Sequence, residues 1–501
     1  MSLRLDKVAS VTPQLALRIG GHGDSITQQC CSGIGLTAGQ LTSAGGLMNI
    51  SVSGFYGLPG YPFYIINCPN DEYNGLWTMG AGTNGTNLIA NVAFPGSATP
   101  TPGVTLNGSS TTVVIPYISV DYDWLGWACQ LSGGAIRRGI PYGHSGQKAA
   151  YCLNNISKSF AAGPSDVMTE LSGTNDARQM VDTTPAGALL LAQTIFTVRK
   201  QAWDAILAAG RVPLVCTLPP LGSASAGWIA NAAVFIRILN AMIREFCAKN
   251  KDYILVDFYK RLIDPLDANG NWLPNLSADG VHPIGPGAYL MGDELYKSML
   301  NAGLLVYPPN LAPSSVGDSY GVSSAALQLL DNPLGVTTGV AATPPATGTC
   351  LGNWTLTYSG AGTCAGSTPA SADGIGNNQL ASVTPTGADT VQWNSIQYSN
   401  RLVGGETIFA ACQVAIAGMI NLKNFEFDLN LISSGLNALV STGRAAGNVI
   451  NNADKTVWLI TPVIYVPAAS DFSLSLRAWF SAGQAACTVK ILRTAVWKII
   501  S

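Results

Sequence analysis

Charge is what this 501-residue sequence has least of: Asp, Glu, Lys and Arg make up 11%, hydrophobic residues 47%, and the net charge is −2. An ordinary globular chain carries roughly 25% charged residues, so Ser, Thr, Asn, Gln and Gly must cover the surface instead. That build suits a β-rich extracellular, viral or polysaccharide-facing protein better than a cytosolic one. Basic clusters are also missing, since nothing exceeds pairs such as Arg137-Arg138. Nucleic acid as a partner is thereby excluded, because binding it needs a phosphate-neutralising patch. Long apolar runs are absent, with no uninterrupted 18-residue span, and this argues against a membrane helix. Histidine occurs only three times, and the 11 cysteines contain no C-x-x-C pair, so no metal site is expected. One candidate disulfide remains, Cys350 to Cys364 across a loop rich in Gly and Thr. Met1 to Ala9 is charged and mixed, not basic and then apolar, and does not read as a signal peptide. An extracellular or virion-associated location is expected, reached by a route such as assembly into a particle released on lysis.

What the sequence does contain is concentrated in a few short stretches. Leu17, Ile19, Gly20 and Gly21 read as a buried strand running into a turn that presents Ser25 of Gly23-Asp24-Ser25-Ile26 where a helix should begin. A serine held there can be aimed at a ligand, and the N–H groups of a helix start can face developing negative charge. Nucleophilic serine chemistry also needs a histidine base and a carboxylate to orient it. Asp279-Gly280-Val281-His282-Pro283 supplies both: its three-residue spacing lets Asp279 reach Nδ1 of His282 and leaves Nε2 free to face Ser25. Between these ends lie Gly143-His144-Ser145-Gly146 and Gly173-Thr174-Asn175-Asp176.

These four stretches, in this order, resemble the motif blocks of the SGNH (GDSL-type) hydrolase family over roughly residues 15–305. The resemblance implies Ser25 as nucleophile, Asp279 as orienter and His282 as general base, with no cofactor. It also implies an oxyanion hole from the backbone N–H groups of Ser25 and Gly143 and the side-chain amide of Asn175. The family often has an asparagine two residues before the second-block glycine, where this chain has Pro141. Gly146 therefore competes with Gly143 for that role.

The elements fit such a reading. Helical spacing over Gln147–Phe160, Leu189–Ala209, Ala230–Cys247 and Pro286–Asn301 alternates with buried strands at Val167–Leu171, Val212–Leu218 and Tyr253–Phe258, which indicates a parallel sheet between helices. The expected fold is a three-layer α/β/α, flavodoxin-like hydrolase domain over residues 1–305. A segment at 41–125, with short runs divided by Gly, Asn and Pro, reads as an inserted β-rich subdomain or lid. Residues 306–349 read as a connector. From 350 to 501 helical periodicity fades, and seven strand-like runs argue for a β-sandwich of jelly-roll type. Its clearest alternation sets Phe472, Leu474, Leu476, Ala478 and Phe480 against Ser473, Ser475, Arg477 and Trp479. Without a histidine, that part is expected to bind carbohydrate or to support oligomers. A trimer is suggested only by analogy with tail-associated proteins.

Six further residues are candidates for lining the substrate: His144, Asp176, Arg178, Tyr122, Trp124 and Trp127. Asp24 is a seventh, although bracing the turn is its plainer role. Ester hydrolysis is the expected chemistry. An acetylated glycan is favoured over a small ester because the low-charge build and trailing strands look similar to carbohydrate-active esterases, including those of bacteriophage tails. Two other readings stay open: a tail or adhesion protein that binds surface glycans with little or no turnover, and a lipase-like carboxylesterase.

Overall fold

A computed structural model describes residues 17–305 and 328–499, except 29, 31–33, 36–40, 45–46, 52–61, 67, 69–72, 74, 81–82, 84–86, 94–112, 116–122, 134, 162–164, 224, 226–227, 230, 268, 418–421, 434–435, 442–454, 462–463, 467 and 481–484. The first half of the 306–349 connector, residues 306–327, therefore lies outside the described residues, as do Tyr122 and Cys31. Two compact units divide the chain near Tyr307.

The first unit begins with strand β1 (Leu17–Asp24) and a one-turn helix α1 (Ser25–Gln28). Seven strands follow before the main sheet resumes: β2 (Ile34–Gly35), β3 (Leu41–Ala44), β4 (Leu47–Ser51), β5 (Pro62–Ile66), β6 (Gly75–Thr78), β7 (Asn87–Ala93) and β8 (Val113–Ile115). They form two small antiparallel sheets, ordered β2-β8-β5-β6 and β3-β4-β7. Met48, Ile50, Phe63, Ile65, Tyr73 and Leu88 give the insertion its own core, with Trp77 packed against it.

Helix α2 (Trp124–Leu131) and strand β9 (Ile136–His144) return the chain to the main sheet. Then come α3 (Ala149–Asn154), α4 (Ile156–Ala161), β10 (Val167–Leu171), α5 (Thr174–Arg178), α6 (Pro185–Ala208), β11 (Val212–Cys216), α7 (Ala232–Lys249), β12 (Ile254–Val256), α8 (Phe258–Leu262) and α9 (Gly285–Asn301). The sheet runs β12-β11-β10-β1-β9 and every pair is parallel. Counting only its own strands, that is the order 2-1-3-4-5 of flavodoxin-like sheets, whose switch point lies between the first and third strands. Here those are β1 and β10. Parallel strands are buried on both faces, which explains why β10 is buried throughout. Pro141 sits in β9 beside an irregularity in its pairing with β1, one of the few sheet positions open to a residue without an N–H.

The second unit contributes β13 (Thr338–Ala341), β14 (Thr347–Leu351), β15 (Trp354–Ser359), β16 (Thr363–Ser367), β17 (Gln379–Thr384), β18 (Thr390–Ser395), β19 (Tyr398–Leu402), β20 (Thr407–Ala417), β21 (Leu422–Leu431), β22 (Leu436–Ser441), β23 (Lys455–Ile460), β24 (Ile464–Tyr465), β25 (Ser470–Phe480) and β26 (Cys487–Ile499). One sheet runs β13-β14-β16-β17-β26-β20-β23, the other β15-β18-β25-β21-β22, with β24 and β19 attached to β20 and β25. Pairing is antiparallel except between β14 and β16. The alternation in β25 behaves as expected on its apolar side, where Phe472, Leu474, Leu476, Ala478 and Phe480 are all buried.

The candidate disulfide is a correction, because Cys350 and Cys364 are both free and buried. Thr347 pairs with Ala365 in the parallel β14–β16 ladder, so Cys350 lies four positions out of register with Cys364. At ~3.3 Å per residue that is about 13 Å along the strands, beyond the ~7 Å between Cα atoms that a disulfide spans. The Cys350 thiol donates instead to the Trp354 carbonyl at 3.0 Å.

Candidate active site

The first unit's motifs meet at the carboxyl ends of its parallel strands. In register, Gly23 of β1 lies opposite Leu171 of β10 on one side and Gly143 of β9 on the other. A Cβ on Gly23 would run into the Leu171 carbonyl and the Thr27 hydroxyl. Glycine thus lets β1 and β10 close together at their ends. Asp24 and Ser25 follow on one side of the switch point, and Gly173 to Asp176 on the other.

His282 joins them from the loop before α9. Its Nε2 lies 2.9 Å from Ser25 Oγ, and its Nδ1 2.6 Å from Asp279 Oδ2. Asp279 Oδ1 accepts from the N–H groups of Val281 at 2.9 Å and His282 at 2.8 Å. Burial works to raise the Asp279 carboxyl, but the hydrogen bonds from the His282 ring and from those N–H groups outweigh it. They hold it well below the usual carboxylate range. Gly280 makes the tight loop feasible. Its φ is +73°, and its carbonyl accepts from Gly222 N–H at 2.7 Å and Trp272 Nε1 at 3.0 Å. A Ser277–Pro283 bridge and the Ile284 N–H to Leu276 carbonyl bond close the loop's neck. Sequence reasoning found the loop but not these braces, and nothing in the spacing of Gly222 or Trp272 announces them.

Asn175 is buried on α5 beside the nucleophile turn, and its Nδ2 donates to the Gln147 carbonyl at 3.0 Å. That carbonyl follows the turn at Ser145 and Gly146, where Gly146 has φ +73°. Gly143, by contrast, lies inside β9 and in ladder register with Gly23.

Beneath the site, Glu170 and Arg199 form a buried ion pair at 2.7 Å. Glu170 also accepts from Trp203 Nε1 at 2.8 Å and from the Ser172 hydroxyl, while Arg199 donates to the Glu170 carbonyl at 3.0 Å and the Cys216 carbonyl at 2.7 Å. This network ties β10, β11 and α6 together just before the Gly173 turn. Sequence reasoning missed it. The only signal is a charged residue in an otherwise apolar strand, Glu170 within Val167–Leu171.

Most of the residues expected to line a substrate are buried. Trp124 and Trp127 are buried. Trp124 donates from Nε1 to the Ile26 carbonyl at 3.2 Å and packs edge-on to Phe258, while Trp127 packs edge-on to Tyr289. Asp24 is wholly buried and Asp176 nearly so. Asp176 Oδ2 accepts from Ala149 N–H at 2.9 Å, joining α5 to the start of α3. Burial pushes the Asp24 carboxyl up to about 6, against the N–H groups of Ile26 and Thr174, and the Asp176 carboxyl likewise to about 6. His144 is buried in register with Asp24, edge-on to the rings of Tyr142 and Tyr151. Arg178 ends α5 half-buried, and Tyr122 lies outside the described residues. Among the described residues no group of three or more His, Cys, Asp or Glu could hold a metal ion. No helix among them is long and apolar enough to cross a membrane.

A serine, a histidine and a carboxylate thus lie in line at the switch point of a parallel sheet. Residues 105–289 match the GDSL-like Lipase/Acylhydrolase family. Over those residues, somewhat over a third of the chain, the protein carries a GDSL-type hydrolase domain. Among solved structures it is similar to a GDSL-like lipase from Bacteroides thetaiotaomicron, at 21% identity and TM-score 0.29, covering 36% of this chain and 85% of that one. It is similar to a putative acylhydrolase from Bacteroides fragilis at 21% identity and TM-score 0.30, over 37% and 85% of the two chains. A third similarity is to an acetyl xylan esterase from Geobacillus stearothermophilus, at 10% identity and TM-score 0.30, over 60% of this chain and all of that one. No curated protein matches the chain.

Proposed function

We propose that the protein is a serine esterase that removes acetyl groups from an acetylated polysaccharide, with Ser25 as nucleophile. The observation that carries this reading is the continuous hydrogen-bonded line from Asp279 through His282 to Ser25. His282 takes the Ser25 proton as Oγ attacks the acyl carbonyl, and returns it to the departing alcohol oxygen. Water, deprotonated by the same imidazole, then releases acetate from the acyl-enzyme. Asp279, kept ionised, holds the imidazole with Nδ1–H toward itself and stabilises the imidazolium that forms. The oxyanion is met by Ser25 N–H and the second Nδ2 proton of Asn175, the first being used on Gln147. For the third donor Gly146 is favoured over Gly143, because it lies in the turn beside Asn175 and not in the β9 ladder.

Polysaccharide is favoured as the acyl carrier by the chain's low charge and by the second unit. There one sheet carries Gln392, Asn394, Ser475, Arg477 and Trp479 on one side, with Gln392 hydrogen-bonded to Asn394 and Ser475. Such a row of amides with an aromatic suits sugar hydroxyls, in keeping with a glycan-binding jelly-roll sandwich over residues 350–501. Acetate release from aryl acetates and acetylated oligosaccharides tests the reading. Ser25→Ala and His282→Ala, both folded, should each lose at least about 10³-fold in kcat, and the oligosaccharide should be turned over in preference to medium-chain acyl esters. Turnover that survives Ser25→Ala would sink it.

A further inference from the structure

Asp24 is buried between the two loops that carry the reacting groups. Its Oδ1 accepts from Ile26 N–H at 3.1 Å, and Oδ2 accepts from Thr174 N–H at 3.3 Å. Ile26 is the residue after Ser25, and Thr174 the residue before Asn175. We propose that Asp24 is a positioning residue that sets the distance between the Ser25 nucleophile and the Asn175 oxyanion donor, by holding both loops on the two oxygens of one carboxylate. The inference rests on the serine-esterase reading above and assigns Asp24 no contact with substrate.

The chemistry of the two oxygens gives the proposal its content. Both face backbone donors, so both must act as acceptors, and only the ionised carboxylate offers two oxygens free of a proton to do so. An asparagine would turn an NH2 toward one of the N–H groups and lose that bond. Hydrogen bonds to an ionised acceptor are roughly twice as strong as neutral ones, and misplacing a reacting group by about 1 Å costs on the order of 10²-fold in rate. Protonating Asp24 would set a hydroxyl against a donor in the same way. Burial brings that event to about pH 6. The ionisable groups around it are His282 across the site, Cys152 of α3, His144 in register on β9, His22 two residues back on β1, and Asp176 beyond Thr174 on α5. Burial holds the Cys152 thiol well above its ordinary value and His22 down at about 4, so both are neutral near pH 6. His282 is the charge that opposes Asp24 protonation.

The test is steady-state kinetics on an aryl acetate from pH 5 to 9, for the parent, Asp24→Asn, Asp24→Ala and Ser25→Ala. Folding is checked by circular dichroism, and amide hydrogen exchange is followed in the parent. Asp24→Asn is expected to lose about 10- to 100-fold in kcat at pH 8 with KM changed less than about twofold. The acid limb of kcat/KM, steeper than one proton in the parent, should fall to a single proton in the variant. In the parent, protection of the Ile26 and Thr174 amides should drop between pH 7.5 and pH 5, once corrected for intrinsic exchange. This last readout needs no variant to fold. Parental kcat in both Asp24 variants, a kcat loss that leaves the acid limb unchanged, or amide protection indifferent to pH would each overturn the brace. Turnover surviving Ser25→Ala would instead overturn the esterase reading itself. An inactive Ser25→Ala beside Asp24 variants at parental rate would remove only the brace.

Discussion

Three carboxylates of the first unit differ in what holds them, and the difference has a sign. Asp279 accepts four hydrogen bonds around a half-exposed loop and is held below the usual range, so the stability it adds is present above its unfolded value near 3.8 and is lost on acidification. Asp24 and Asp176 run the other way, because burial dominates and both sit at about 6. Their contribution is complete below about 3.8 and disappears as pH rises through 6. Asp176→Asn separates the cases, since its amide oxygen can still accept from Ala149 N–H and it carries no charge to bury. Melting curves between pH 5 and pH 8 should show the variant gaining on the parent as pH rises. Curves that stay parallel would refute the assignment of that pH dependence to Asp176. At this scale the Asp279-to-His282 spacing was readable, because a carboxylate and a histidine three residues apart need only a tight loop to meet. What Asp24 and Asp176 touch was not readable. Apart from Ile26, the partners are N–H groups of helix starts distant in sequence, Thr174 of α5 for Asp24 and Ala149 of α3 for Asp176, and only the fold specifies those.

Elements were legible where their period was regular. Expected helices at Leu189–Ala209 and Ala230–Cys247 appear as Pro185–Ala208 and Ala232–Lys249, and the expected strand at Val167–Leu171 has those limits in the structure. Two elements escaped for physical reasons. β9 contains Arg137, Arg138 and Pro141, which look like a loop until Arg138 is seen paired to buried Asp123. α2 presents Trp124, Leu125, Trp127, Ala128 and Cys129, which are buried all round the helix; counted as single aromatics, the tryptophans read as substrate-lining. The Glu170–Arg199 pair carries this scale's prediction. It joins β10 to α6 where the Gly173 turn begins, and neither partner has water to fall back on. Arg199→Met should cost about 3–5 kcal/mol by stranding a buried carboxylate, whereas replacing both partners with apolar residues should cost clearly less than the two single changes added together. Urea titration of the three variants measures this. Additive losses would mean that Glu170 and Arg199 do not act as a pair.

Across the whole molecule, the insertion explains why the motifs are so far apart in sequence. The family match covers residues 105–289, while Ser25 lies before it, with β2 to β7 between. The nucleophile block is therefore joined to its partners by folding, through the β1–β10 and β1–β9 ladders. The cysteines give the second global feature. All ten described cysteines are buried thiols, spread over both units, and in their surroundings they act as small apolar residues. Burial pushes the thiols of Cys129, Cys247, Cys364 and Cys412 up to about 12 and that of Cys487 to about 11. A thiol needs both exposure and thiolate character to react, and these have neither. A disulfide-exchange reagent at pH 8 should thus label the native protein slowly at these positions and capture at least ten thiols once it is unfolded. Reductant should leave the melting temperature unchanged, because no cross-link among those ten restrains the unfolded chain. A drop in melting temperature on reduction, or fewer than ten thiols in denaturant, would show that cysteine pairing contributes to stability after all.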